Sequence, residues 1–214
     1  MKQYKHISHK KRKKRKFSNL AIIIFGILGI VLIGDIIGAI MYLRQSPQMH
    51  ENIRQYVVTG DSLSFLQIFW RQFLYQLTIW TMGLSIVGII VNLFLIFARG
   101  VSAGFNLAFL VQEIGASSDA WAIILWLMQY VLILFTTILG VYFSFRFAYL
   151  VIKSLIKKKY ELIITHLKLY AMQFILIIVL ILCTSMFTAL TTPIIQNRLT
   201  ENMAVAEAII NIFL

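Results

Sequence analysis

Polar residues gather at the two ends of the chain and in short interruptions, and the stretches between them are apolar on every helical face. The runs from Phe17 to Tyr42 and from Phe73 to Ala98 carry almost no charge. Each exceeds the roughly 20 mostly apolar residues that a bilayer-spanning helix needs. Regular polar/apolar alternation is missing and only two prolines occur, so the pattern is that of continuous helices with internally satisfied backbones rather than of an outer-membrane barrel. It predicts an all-α, polytopic helical membrane protein of about five transmembrane helices, at about 18–43, 73–98, 100–116, 120–152 and 168–190. These make one membrane domain, 17–190, between a polybasic tail, 1–16, and an amphipathic C-terminal segment, 191–214.

The third of these segments is short. Its apolar core, 101–114, has 14 residues, about 21 Å of helix against a hydrocarbon thickness near roughly 30 Å, so it either crosses or re-enters. Charge favours crossing: the tail, Arg99, Arg146 and the Lys153 to Lys168 segment then place 16 basic residues inside, against 4 outside at Arg44, Arg54, Arg71 and Arg198. The positive-inside bias therefore predicts five crossings, N-terminus cytoplasmic and C-terminus extracytoplasmic. Two outer stretches have helical apolar spacing. One is 60–70, with Asp61 and Ser62 as N-cap candidates; the other follows Pro193 and Ile194 and aligns Met203, Ala206, Ile210 and Phe213 on one face. Both are expected to pack on the bundle or the lipid, or to dock a partner.

Composition sharpens the class. The chain is 60% apolar and 13% charged, about half the charged fraction of a soluble domain. Its net charge of +12 raises nucleic acid as a partner, but nine of the twenty basic residues lie within Lys2 to Lys16, directly before an apolar helix. That placement suits an anionic inner leaflet, and no nucleic acid is expected. The first apolar run is too long for a cleaved leader and is read as a retained span. A single cysteine, Cys183, excludes an intramolecular disulfide. The four histidines are scattered, and no nucleophile-base pattern or metal-ligand spacing occurs, so neither an enzyme nor a cofactor or metal site is expected.

Within the spans, Gly26, Gly34 and Gly38 form one stripe, and Gly34-x-x-x-Gly38 and Gly100-x-x-x-Gly104 have the small-residue spacing that lets membrane helices approach. Asp35 is the acidic residue deep in a span; it is expected to be paired or protonated, marking a helix contact or an ion path. Asn92, Asn106 and Gln129 are expected to hydrogen-bond between helices.

Two motifs carry a resemblance. From Trp80 the chain reads WTMGLSIVG, a W-x-x-G-x-S-I-x-G pattern with Gly83 and Gly88; from Phe97 it reads FARGVSAGFNLAFLVQEIG, with a basic-Gly-x-x-x-Gly-Phe turn at Arg99 to Phe105. Ile33-Gly34-x-x-x-Gly38 and Thr192-Pro193-Ile194-Ile195 fit as the ends. The sequence resembles the stage II sporulation protein M family over about residues 20–200, most strongly at 79–115. The resemblance implies a bacterial cell-membrane scaffold, non-catalytic, that recruits extracytoplasmic peptidoglycan hydrolases, the stage II sporulation proteins D and P, during engulfment and wall remodelling in sporulation. Where the family has an intramembrane Glu this chain has Thr188, and one hypothesis is that the acidic position has migrated to Asp35, between the neighbouring outer halves of two helices. The alternative is a small transporter or permease subunit with Asp35 as its coupling group.

Overall fold

The computed structural model describes the backbone of residues 2–59, 64–85, 87–114, 121–156, 158 and 161–213, and the side chains of 23–53, 64–85, 87–112, 121–156, 158 and 163–197. The described residues form six helices and no strand: α1 Lys2–Leu43, α2 Pro47–Thr59, α3 Phe65–Met82, α4 Gly88–Ile114, α5 Trp121–Ile156 and α6 Glu161–Phe213. Four segments are long and apolar enough to cross a bilayer, namely Ile23–Leu43, Gly88–Gln112, Trp121–Ile156 and Ile163–Asn197. The chain is a multi-pass helical membrane protein.

Packing makes α3, less apolar than these four, a fifth pass through the bundle. Gly34 of α1 lies against Phe97 and Gly100 of α4, and Gly38 against Val101 and Phe105. The two numbers rise together, so α1 and α4 are parallel. The end of α1 and the start of α4 therefore lie at opposite ends of the bundle, and the chain between them must return through α3. At 18 residues that helix is about 27 Å long, enough for most of a hydrocarbon core near 30 Å. Its neighbours agree. It runs parallel to α5, with Gln76 beside Thr137 and Gly83 beside Ser144, and antiparallel to α6, with Gln72 beside Thr184 and Trp80 beside Tyr170. So α1, α4 and α6 run one way, and α3 and α5 the other.

The boundary drawn between the second and third spans at Arg99 is corrected. The chain does not turn there: it leaves the helix after Met82 and restarts at Gly88, so the expected spans 73–98 and 100–116 become α3 and an uninterrupted α4. Hydropathy is blind to this turn because 80–88 is as apolar as the helices it joins. Glycine makes the reversal possible. Gly83 caps α3 through its N–H to Ile79 O at 3.1 Å, and a Cβ at Gly88 would lie 2.8 Å from Met82 Cα. The basic-Gly-x-x-x-Gly-Phe stretch is thus the middle of a helix, and Arg99 moves from an aqueous loop into the membrane. The odd number of crossings is unchanged.

Two further expectations shift. An amphipathic helix follows the first span as α2, and the described part of 60–70 belongs to α3; Asp61 and Ser62 lie outside the described residues, and the N-cap of α3 is Ser64, in a capping box with Gln67. The fifth span and the C-terminal segment are one helix, α6, which continues through Pro193. Proline leaves a backbone carbonyl one turn earlier without its donor. The hydroxyls of Thr188, Thr191 and Thr192 donate to carbonyls four residues back along this stretch, Thr192 to Thr188 O at 2.7 Å, the kind of local support that lets membrane helices carry proline.

Two clusters form the core. Tyr42, Phe109, Leu110, Ala122 and Ile195 meet at the end remote from the N-terminus, with Ile53 of α2 packed on them; Tyr42 meets His50 edge to face at 4.5 Å. Ile27, Val31, Ile79, Ile96 and Val141 fill the other half.

Candidate functional site: a polar crevice at mid-membrane

The glycine contact between α1 and α4 sets the site's geometry. A Cβ at Gly100 would meet Val31 O at 2.5 Å, one at Gly34 would meet Phe97 O at 2.6 Å, and one at Gly104 would lie 2.6 Å from Asp35 Cα. The close approach is confined to this zone, since Gly26 has nothing within 4 Å. With Gly100 and Gly104 turned to α1, the adjoining face of α4 carries Arg99, Ser102 and Asn106 toward α3 and α5. They line a crevice of about 460 Å³ together with Tyr75, Gln129 and Tyr130.

Three hydrogen-bonded posts fix its walls. The Tyr130 hydroxyl of α5 donates to both Asp35 oxygens, at 3.0 and 3.1 Å, tying α1 to α5. The Tyr75 hydroxyl donates to Leu95 O at 2.8 Å, which holds α3 against α4. The Gln129 amide donates to the Thr191 hydroxyl and so joins α5 to α6. Over the Tyr75 ring lies the Arg99 guanidinium, its Cζ 4.8 Å from the centroid, a cation-π contact that gains strength where water is excluded.

Asn92 stands elsewhere, near the α3–α4 turn. It is fully buried and donates to Ile79 O at 3.2 Å and to Ser144 Oγ at 2.7 Å. Trp80 of the same turn stacks on Tyr170 at 5.2 Å, Tyr170 stacks on Phe147 at 4.5 Å, and its hydroxyl donates to Trp80 O at 2.9 Å. Gly83 fits beneath this stack: a Cβ there would fall 2.8 Å from Ser144 Cβ. The first sequence motif therefore builds a re-entry into the bundle, and the second builds the glycine seam with the crevice at its flank. The family model of stage II sporulation protein M matches residues 20–192. The chain belongs to the stage II sporulation protein M family. No curated protein and no solved structure matches it.

Of the residues singled out in the sequence, this family member brings Asp35, Asn106 and Gln129 to the crevice or its walls, and Gly34, Gly38, Gly100 and Gly104 to the seam beside it. Gly83, Gly88 and Asn92 serve the turn. Pro193 and Ile194 lie within α6, Ile194 exposed; the side chains of Met203, Ile210 and Phe213 lie outside the described residues. Among the described residues α1 and α6 are not neighbours, and Thr188 donates to its own helix at Thr184 O, so no contact supports the idea that Asp35 replaces a carboxylate at Thr188. Sequence reasoning missed Arg99, Tyr75 and Tyr130. Their signal was present: Tyr75 adjoins Gln76, Tyr130 adjoins Gln129, and Ser102 and Asn106 follow Ala98 at four-residue steps on one face beside Arg99.

Proposed function

We propose that the chain is a non-catalytic membrane scaffold that gathers extracytoplasmic peptidoglycan hydrolases, with the stage II sporulation proteins D and P of the family as the type partners. The observation that carries this reading is the parity of the bundle. Five crossings bring α2, the end of α4, the start of α5 and the extension of α6 past Asn197 to one end, opposite the polybasic tail. With Arg99 withdrawn into the membrane, fifteen basic residues still stand at the tail's end against four at the other. The positive-inside bias then makes the tail cytoplasmic and the α2/α6 end extracytoplasmic, in a bacterial cell membrane. That end is a built platform rather than loose loops, since α2 is anchored through Ile53 and His50 on the Tyr42 cluster.

The test is co-purification of the full chain with a peptidoglycan hydrolase from a mild detergent, followed by removal of residues 198–214. That cut spares Ile195, which is buried in the core, so the membrane bundle keeps its stability while association drops. Absence of any hydrolase with the full chain would sink the scaffold reading. A second reading, a small transporter, is supported by the crevice at mid-depth. It requires flux in proteoliposomes that is lost in Asp35→Asn.

A further inference from the structure

Arg99 lies near the middle of α4, eleven residues after Gly88 and fifteen before Ile114. A charge at such depth is costly unless it is paired. Among the described residues none pairs it: no carboxylate oxygen lies within 4.0 Å of its nitrogens. Asp35, the sole acidic residue of the five crossing segments, takes the Tyr130 hydroxyl instead. Behind Arg99 lies a small recess beside Gln72, Gln76 and Thr137, with a volume of about 10 Å³, room for about one water. It holds no anionic group. Within the described bundle, then, Arg99 has no counter-charge, and its open side is the crevice.

The mouth of the crevice faces the surroundings of the bundle. Ala98, Ser102 and Asn106 are exposed along one line of α4, at the level of the hydrocarbon core. The opposite wall carries the apolar Trp126 and Ile133 of α5. About 460 Å³ falls within the roughly 300–1,000 Å³ range of small-molecule sites, whereas a helix about 10 Å across does not fit.

We infer that this crevice is a lateral binding site for an amphiphile with a single oxyanion head, a carboxylate or a phosphodiester, entering from the bilayer. The guanidinium fork of Arg99 matches either head with two parallel hydrogen bonds. Ser102 and Asn106 at the mouth add a hydroxyl and an amide donor. The chain of the amphiphile lies against Trp126 and Ile133. This site does not depend on the scaffold reading, because it uses the middle of the bundle and not its outer end.

The test uses the full chain in neutral detergent with phosphatidylcholine as background, and adds phosphatidylglycerol, oleate or inorganic phosphate. Native mass spectrometry reads retention and a thermal ramp reads stabilisation. Phosphatidylglycerol or oleate is retained and raises Tm, and which of the two is better identifies the head group; phosphatidylcholine and inorganic phosphate do neither. Arg99→Gln weakens retention at least tenfold, and Arg99→Lys, with charge but no fork, falls between. Should Arg99→Gln not fold, Ser102→Phe serves: its ring fills the open mouth, leaves the Tm of the unliganded chain unchanged and blocks retention. Equal retention of phosphatidylcholine, or retention unaffected by Ser102→Phe, overturns the inference. So does saturation by inorganic phosphate alone, or a chain that binds neither amphiphile but forms a dimer broken by Arg99→Gln.

Discussion

Adding one methyl group at Gly104 and one at Gly29 gives opposite results if α1 and α4 meet as described. At Gly104 the new carbon would stand 2.6 Å from Asp35 Cα, while two carbons pack at about 3.5–4.0 Å. The helices must open by about 1 Å, and a gap of that size forfeits a quarter to a half of the dispersion energy of each contact across it. Overpacking of this kind costs about 1–3 kcal/mol, offset by about 1 kcal/mol from the better helix propensity of alanine. At Gly29, also on α1, nothing lies within 4 Å of the added carbon, so only the favourable term of up to about 1 kcal/mol remains. Gly104→Ala should thus be about 2 kcal/mol less stable than Gly29→Ala, a reversal that no general effect of glycine replacement produces. Equilibrium unfolding of both variants in the same mixed micelles measures it. If Gly104→Ala is as stable as Gly29→Ala, the two helices do not touch along this seam.

Tyr130→Phe removes the hydroxyl that Asp35 accepts and should lower stability by about 1 kcal/mol; in an Asp35→Asn background the loss should be smaller, which a double-mutant cycle checks. Asn92→Leu leaves Ser144 Oγ and Ile79 O without the donor they share, with an expected cost of about 1–3 kcal/mol by thermal unfolding. Gly83→Ala places a methyl group 2.8 Å from Ser144 Cβ, against the Tyr170 stack; it should destabilise by about 1–3 kcal/mol and quench less of the Trp80 fluorescence if the stack opens.

The membrane class and the odd number of crossings were legible because they rest on bulk quantities. Long apolar runs and lysine clusters at helix ends need no tertiary knowledge to read. The break at 83–87 was not legible by the same means, since Leu84, Ile86 and Val87 are as apolar as a helix interior and hydropathy averages across them. Two glycines bracketing Ser85 were the only local sign of a reversal. Arg99 failed for the converse reason: a charge usually marks the edge of a span, and this one is tolerated in the middle because Tyr75 and a polar crevice surround it. The glycine pairs were readable as close-packing positions, but not that the first pair meets the second in parallel. That follows from which helices become neighbours, a property of the whole chain.

The path of the chain through the bilayer decides the fold and the site together, and cysteine labelling in sealed cells reads it. In a Cys183→Ser background, Ser85→Cys and Lys158→Cys should react from the side of the N-terminus, Met49→Cys from the opposite side, and Ala103→Cys, at the buried face of mid-α4, from neither. Labelling of position 85 from the same side as position 49 would mean that α3 does not cross, and the parallel seam of α1 and α4 would fall with it.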